Sequence, residues 1–295
     1  MAIRQTLRTV WKSPILHSMT KRKQGKINRL DRLLPEGLLV DAAWLSRHGY
    51  STGLRSQYVA AGWLQQPARR VYQRPRGPLG WQQIIISLQT LLARHLAVGG
   101  RTALELHGFA HYLQQRTTTV YLYGPAKPPT WLQDLDVGVR FAYRNDGRLF
   151  RKQRISTAPH RLDADSGPHP ARRDSIVAQP WGAWRWPLML STPERAILEL
   201  LDELPDKETF HQADVLIEGL STLSPARLQT LLNDCRSIKV KRLFFFFADR
   251  HRHAWLKRLD KRAIDLGSGK RMLVKGGRFD AQHLITVPET LDGVS

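Results

Sequence analysis

Two kinds of polar side chain crowd the stretch from Ser51 to Arg76. Arg55 carries a planar fork of donors that fits the O6/N7 edge of guanine, and Gln57 a carboxamide that fits adenine. Ser51, Thr52 and Ser56 lie in the same short run, and Arg69, Arg70, Arg74 and Arg76 follow it. Clustered arginines are the side chains that neutralise phosphates, and binding of that kind weakens steeply with salt. The chemistry these types imply is nucleic-acid recognition, with a few groups reading base edges and several holding the backbone.

Such groups need a scaffold, and the flanking residues describe one. Asp41 is placed to cap a helix over 42–48, with Gly49 as its breaker. Ser51 or Thr52 caps a second helix that runs to about Ala61 and ends at Gly62. Leu54, Tyr58 and Ala61 share an inward face, which turns Arg55, Ser56 and the two cap residues outward. Trp63-Leu64 begins a strand, Arg69-Arg70 forms the tip, and 71–73 returns. Helix, turn, helix and hairpin in that order is a winged helix-turn-helix, whose second helix offers its N-terminal residues to the bases. An earlier helix over 26–34, apolar at Ile27, Leu30, Leu33 and Leu34, ends at Pro35-Glu36-Gly37. A winged helix also serves as a protein-binding platform, so the layout leaves that alternative open.

Charge separates this module from the rest. Residues 1–76 hold 15 basic and 3 acidic side chains, a net of +12 out of +21 for all 295 residues. Residues 77–189 add +7 and residues 190–295 only +2. A basic N-terminal module on a nearly neutral body reads as a nucleic-acid binder attached to a region with another job. The first 30 residues carry eight Lys/Arg and no acid. They are expected to form a basic, disordered arm that touches phosphates. A transit peptide and a true start at Met19 are the alternatives.

The chain is 42% hydrophobic, enough for a sizeable core and roughly two or three domains. Its one cysteine, Cys235, excludes an intramolecular disulfide and a cysteine-based zinc site. No apolar run approaches the ~20 residues of a membrane helix, so no membrane partner is expected and the cytoplasm is the expected location. The expected organisation is the arm (1–25), the winged helix (26–77) and a mixed α/β region (78–295) with a sub-boundary near 156–190. The fold class is α+β.

Within the last region the spacing predicts helices over 81–96 and from Thr102, and strands over 117–123 and 137–143. Residues 156–180, rich in Pro, Ser, Asp, His and Arg, read as a loop, and 184–189 as a strand. Helices follow from Pro193 and over 207–219, 224–235 and 239–251. Phe244–Phe247 fits a helix or a buried strand. The tail reads as a glycine-rich turn, a hairpin over 272–279 and a strand over 284–287.

Other motifs do not close into sites. Leu266-Gly267-Ser268-Gly269-Lys270-Arg271 looks like part of a phosphate loop, but Ile264 and Arg271 stand where that motif needs Gly and Ser/Thr. It reads as a tight turn into a basic hairpin, with a phosphate-binding turn as the alternative. His107 and His111 are four apart but lack a third ligand. Asp134 and Asp136 lack a preceding Gly-Ser element. No catalytic residue, metal ligand or cofactor is assigned. Lys239, Lys241, Arg242, Lys270 and Arg271 are basic positions among apolar residues. They read as the wet faces of amphipathic elements or as a surface for an RNA or nucleotide.

Several blocks of the chain carry a family likeness. They are Pro35-Glu36-Gly37-Leu38-Leu39-Val40, Trp44-Leu45, His48-Gly49, Tyr58-Val59, Gly62-Trp63-Leu64 and Val71-Tyr72. Gly99-Gly100-Arg101-Thr102-Ala103-Leu104-Glu105-Leu106-His107-Gly108 follows, with Ala110-His111-Tyr112-Leu113 and Thr192-Pro193-Glu194-Arg195-Ala196. Lys239-Val240-Lys241-Arg242-Leu243, Asp265-Leu266-Gly267-Ser268-Gly269-Lys270-Arg271 and Thr286-Val287-Pro288 complete the set. In this order, over roughly 26–290, the chain resembles the AbiEi-family antitoxins of bacterial type IV toxin–antitoxin systems. The basic extension and the 156–180 insert depart from that pattern.

The resemblance implies a two-part antitoxin. Its winged helix would bind inverted repeats in the operon's own promoter and repress it. Its C-terminal region would counteract a nucleotidyltransferase toxin without a stable complex. An ordinary winged-helix regulator with a ligand-binding or oligomerising C-terminal region is the alternative, and an enzyme on a DNA-targeting module is disfavoured by the missing acidic clusters.

Overall fold

Leu30 and Leu34, one helical turn apart, are both buried, and Leu34 N–H donates to Leu30 O at 2.8 Å. Leu30 lies in, and Leu34 directly follows, the first helix, α1 (25–33), of a computed structural model that describes residues 25–75, 77–109, 117–155, 162 and 174–291. The basic arm, Arg76, His111 and most of 156–173 lie outside the described residues. The chain forms two compact units that divide between Pro78 and Leu79.

In the first unit α1 leads through the Gly37 turn to β1 (Leu39–Asp41), α2 (Ala42–Arg47), α3 (Thr52–Ala60), β2 (Gln65–Ala68) and β3 (Val71–Gln73). The three strands form an antiparallel sheet in the order β1-β3-β2, with Val40 opposite Tyr72. Pro67 cannot donate to a ladder. It sits in edge strand β2, where the register slips between Gln65 and Ala68. Leu38, Leu39, Val40, Leu45 and Val71 are fully buried and make the core of this small unit. The expected winged helix-turn-helix is present.

The second unit is built on a five-stranded mixed sheet in the order β6-β5-β4-β8-β7. Its strands are β4 (Ala97–Val98), β5 (Thr119–Gly124), β6 (Arg140–Asn145), β7 (Ile176–Trp181) and β8 (Trp186–Ser191). Helices α4 (Trp81–Gln89) and α5 (Gly100–Leu106) flank β4 in the chain. Helix α6 (Pro193–Asp202) leads into α7 (Phe210–Gly219), α8 (Pro225–Asp234) and α9 (Ile238–His251). A small sheet closes the chain, in the order β10-β11-β9, from β9 (Arg271–Met272), β10 (Arg278–Asp280) and β11 (Ile285–Val287).

Three expectations are corrected and one open choice is decided. The helix expected over 81–96 stops at Gln89, whose side chain bonds Leu96 O and both the N–H and the O of Met189 at 3.0 Å. That carboxamide acts as an extra rung between the following turn and β8. The loop expected over 156–180 contains the start of β7, an edge strand that tolerates Pro180. The hairpin expected over 272–279 does not form, because β9 and β10 each pair with the apolar β11 rather than with one another. Phe244–Phe247 is helical, since α9 is surrounded and buries all four rings.

Two of the sequence blocks meet in the core of this unit. Glu199 and Arg195 are both fully buried and pair at 2.7 Å one turn apart on α6. Glu199 Oε2 accepts the Gly100 N–H at 3.0 Å, and Arg195 donates to Gln153 O and Ser175 Oγ. Burial pushes the Glu199 carboxyl above the ordinary carboxylate range, against the pull of Arg195. A Cβ at Gly99 would stand 2.3 Å from that carboxylate and 2.4 Å from the Tyr123 ring, so the backbone approach requires glycine there. Arg101 forks onto Glu208 and also reaches Gln212 Oε1 at 2.7 Å.

Candidate nucleic-acid interface

The interface is built from the caps of two short helices. Asp41 Oδ1 accepts Trp44 N–H at 2.7 Å and starts α2. Gly49, at φ +88°, makes the left-handed turn that lets the chain reverse. Ser51 Oγ then accepts Leu54 N–H at 3.4 Å and starts α3. Tyr50 and Tyr58 are buried between the helices, with the Tyr50 hydroxyl donating to Lys26 O at 3.0 Å. Burial raises both phenols above their ordinary value.

Arg55 does not face outward. It is 6% exposed, and its guanidinium donates to Ala42 O at 2.7 Å, Ser46 Oγ at 2.8 Å and Thr52 Oγ1 at 2.7 Å. It also lies 5.8 Å from the centre of the Tyr72 ring. Those contacts lock α3 onto α2, so Arg55 is a positioning residue and the expectation that it reads guanine is corrected.

The outward face of α3 is made of Ser51, Thr52, Gly53, Ser56, Gln57 and Ala60. Ser56 Oγ donates to Thr52 O at 3.2 Å, and Thr52 accepts from Arg55, so those hydroxyls are oriented by the helix itself. Gln57 is the long polar side chain of that face. Nothing lies within 4 Å of where a Cβ of Gly53 would stand, which leaves the first turn of α3 open to close approach. The free N–H groups of a helix start favour a phosphate there.

In the wing, Arg69 and Arg70 are exposed at the β2–β3 turn, with Arg70 at φ +64° and its carbonyl accepting Ala42 N–H at 2.8 Å. Arg74 is committed elsewhere. It donates to Asp31 O and Leu34 O and pairs with the Glu36 and Asp31 carboxylates at 3.2 and 3.3 Å. Arg74 therefore fastens α1 to the sheet, and its expected phosphate role is corrected. Arg29 and Arg32, on α1, are exposed. Arg47, in the last turn of α2, is exposed as well and was not among the residues singled out from sequence. Its signal was available, since α2 buries Ala42, Trp44 and Leu45 and Arg47 falls off that face.

The basic positions of the second unit divide in the same way. Lys241 is 3% and Arg242 2% exposed, while Lys239 Nζ donates to Asp202 O and Leu204 O at 2.6 and 2.8 Å. These three are structural, and their place on an exposed surface is corrected. Arg242 donates to Leu266 O, Gly269 O and Leu284 O and so pins the glycine turn to α9. Lys270 and Arg271 follow that turn and are exposed. Gly267, at φ +65°, packs against Ile238, so the segment is a tight turn.

The remaining candidates have structural partners. His107 Nε2 lies 2.9 Å from Ser191 O, and burial lowers its pKa. Asp134 and Asp136 are exposed and belong to no cluster of three or more potential metal ligands among the described residues. Cys235 is buried, and desolvation pushes its thiol up to about 11. Among the described residues no group of three or more His, Cys, Asp or Glu could hold a metal ion, and no helix is long and apolar enough to cross a membrane.

Comparison with known proteins gives two family matches. A model described as transcriptional regulator, AbiEi antitoxin N-terminal domain, matches residues 23–115. A model described as transcriptional regulator, AbiEi antitoxin, type IV TA system, matches residues 117–288. No curated protein matches the chain. Among solved structures, the crystal structure of the RV2827C protein from Mycobacterium tuberculosis matches over 88% of each chain at 14% identity, with a TM-score of 0.49.

Proposed function

The chain belongs to the family of AbiEi antitoxin transcriptional regulators of type IV toxin–antitoxin systems, and from that premise we propose that it represses its own operon and counteracts a nucleotidyltransferase toxin. Repression works through inverted repeats in the promoter, read in the major groove by the outward face of α3. Gln57, with Ser51, Thr52 and Ser56, supplies the base and sugar-edge contacts. Arg69, Arg70 and Arg47 hold phosphates from the wing and from the helix that crosses the backbone. The second unit opposes the toxin in the cytoplasm without a stable complex, using the exposed Lys270 and Arg271. The observation that carries the DNA half is the bare, polar face of α3 beside an exposed arginine wing, in the unit that holds most of the excess charge.

The test joins both activities in one strain. The chain's own upstream DNA drives a reporter, and a nucleotidyltransferase toxin of a type IV system is induced separately. The wild type is expected to silence the reporter and restore growth. Arg69→Glu with Arg70→Glu is expected to release the reporter and still restore growth. Silencing without rescue would leave a stand-alone regulator, and rescue without silencing would overturn the repressor half.

A further inference from the structure

The small sheet β10-β11-β9 has one face in the core and one in solvent. Ile285 and Val287 of its central strand are fully buried and define the inner face. The residue between them, Thr286, stands opposite Met272 on one side and Phe279 on the other. Cross-strand partners share a face, so Met272, Thr286 and Phe279 form one row on the outer side. Met272 is 76% and Phe279 41% exposed, which is unusual company for a packed unit. Lys270, in step with Met272 along the strand, holds its ammonium 5.1 Å from the centre of the Phe279 ring. Arg271 and Arg278 pair with Ile285 and Val287, so they lie off the outer row and stand exposed at the two edges of the sheet. From Leu266 to Phe279 the chain has four basic residues and no acid.

We infer that this outer row is a docking platform for single-stranded RNA. An exposed ring beside a cation, with further basic residues at the sheet edges, is what an unpaired strand needs, because its bases stack on the ring while its phosphates meet Lys270 and the edge charges. The polarisable Met272 thioether extends the apolar surface by one base. A duplex offers no free base face to Phe279, and an acidic peptide would use the cations but leave the Met272–Phe279 row uncovered. Thr286, half-buried in the middle of the row, carries the hydroxyl that would meet a ribose 2′-OH, which favours RNA over DNA. The platform is held rigid from beneath. The buried Arg242 guanidinium ties the turn that leads into Lys270 and the residue that leads into β11. His283 bridges Asp249 and Asp280 at 2.8 Å on each side and fixes the β10–β11 connection.

For its biological role the inference rests on the reading of Lys270 and Arg271 as the surface used against the toxin. The measurement needs neither toxin nor promoter, so its failure leaves those readings standing. Fluorescence anisotropy would follow a fluorescein-labelled short oligouridine titrated with the full chain carrying Arg69→Glu and Arg70→Glu, which silences the wing. Phe279→Ala and, separately, Lys270→Glu with Arg271→Glu would be compared on that background, each checked for an unchanged circular-dichroism melt. The expected results are binding, a loss of about tenfold or more in Phe279→Ala, retention in Phe279→Trp, and near abolition by the charge reversal. Unlabelled oligodeoxythymidine and duplex DNA are expected to compete poorly. An unchanged affinity in Phe279→Ala, or absence of binding in the parent, overturns the platform. Equal competition by single-stranded DNA overturns the RNA assignment, and equal competition by duplex overturns the single-strand assignment.

Discussion

Arg55 and Gln57 are two residues apart and have opposite fates. Arg55 shares a face with Tyr58, three positions on, and spends its donors on α2 and on Thr52 of its own helix. Gln57 points to solvent. The two substitutions should therefore fail differently. Gln57→Ala is expected to leave the fold intact and to cost about 1–3 kcal/mol on the preferred site alone. Arg55→Ala removes hydrogen bonds from a charged donor and should cost about 2 kcal/mol of stability in the first unit. It should weaken all DNA alike, in proportion to the fraction unfolded. Binding to site variants, paired with denaturant melts, separates the outcomes; a specificity change in Arg55→Ala without loss of stability would reverse the assignment. The Arg195–Glu199 pair offers a second test at this scale. Glu199→Ala strands a buried guanidinium and the Gly100 N–H, so a loss of about 3–5 kcal/mol is expected in the second unit. A melt within about 1 kcal/mol of wild type would show that the pair is dispensable.

The elements of the first unit were largely legible in the residues. Asp41 and Ser51 act as the caps their types suggest, and Gly49 turns the chain where a left-handed residue is needed. Orientation within α3 was less legible, because two of the three partners of Arg55, Ala42 and Ser46, come from α2 and local spacing does not display them. The same reason hid the burial of Lys241 and Arg242, which sit on a helix enclosed on several sides. The β7 strand was masked by composition, since Pro180 reads as a loop signal until its edge position is known. At the wing the expectation survives as a proposal. Arg69→Ala should weaken operator and unrelated duplex equally and lower the salt slope by about one, the release of one phosphate's counterion. A loss confined to the operator would make Arg69 a base reader.

The whole molecule couples a strongly basic first unit to a body whose C-terminal half, residues 190–295, carries a net charge of only +2. That asymmetry, with the exposed α3 face and wing, is the physical basis for placing DNA binding at the N-terminal end. In the proposed reading phosphate contacts supply affinity there and the α3 side chains supply choice, so the two should separate experimentally. The most direct measurement is a gel-shift titration of the full chain against its own upstream promoter and a scrambled duplex, at low and near-physiological salt. The account predicts promoter-selective binding that weakens at both sequences as salt rises, with selectivity reduced in Gln57→Ala. Equal affinity for both duplexes, or no shift with either, would contradict it.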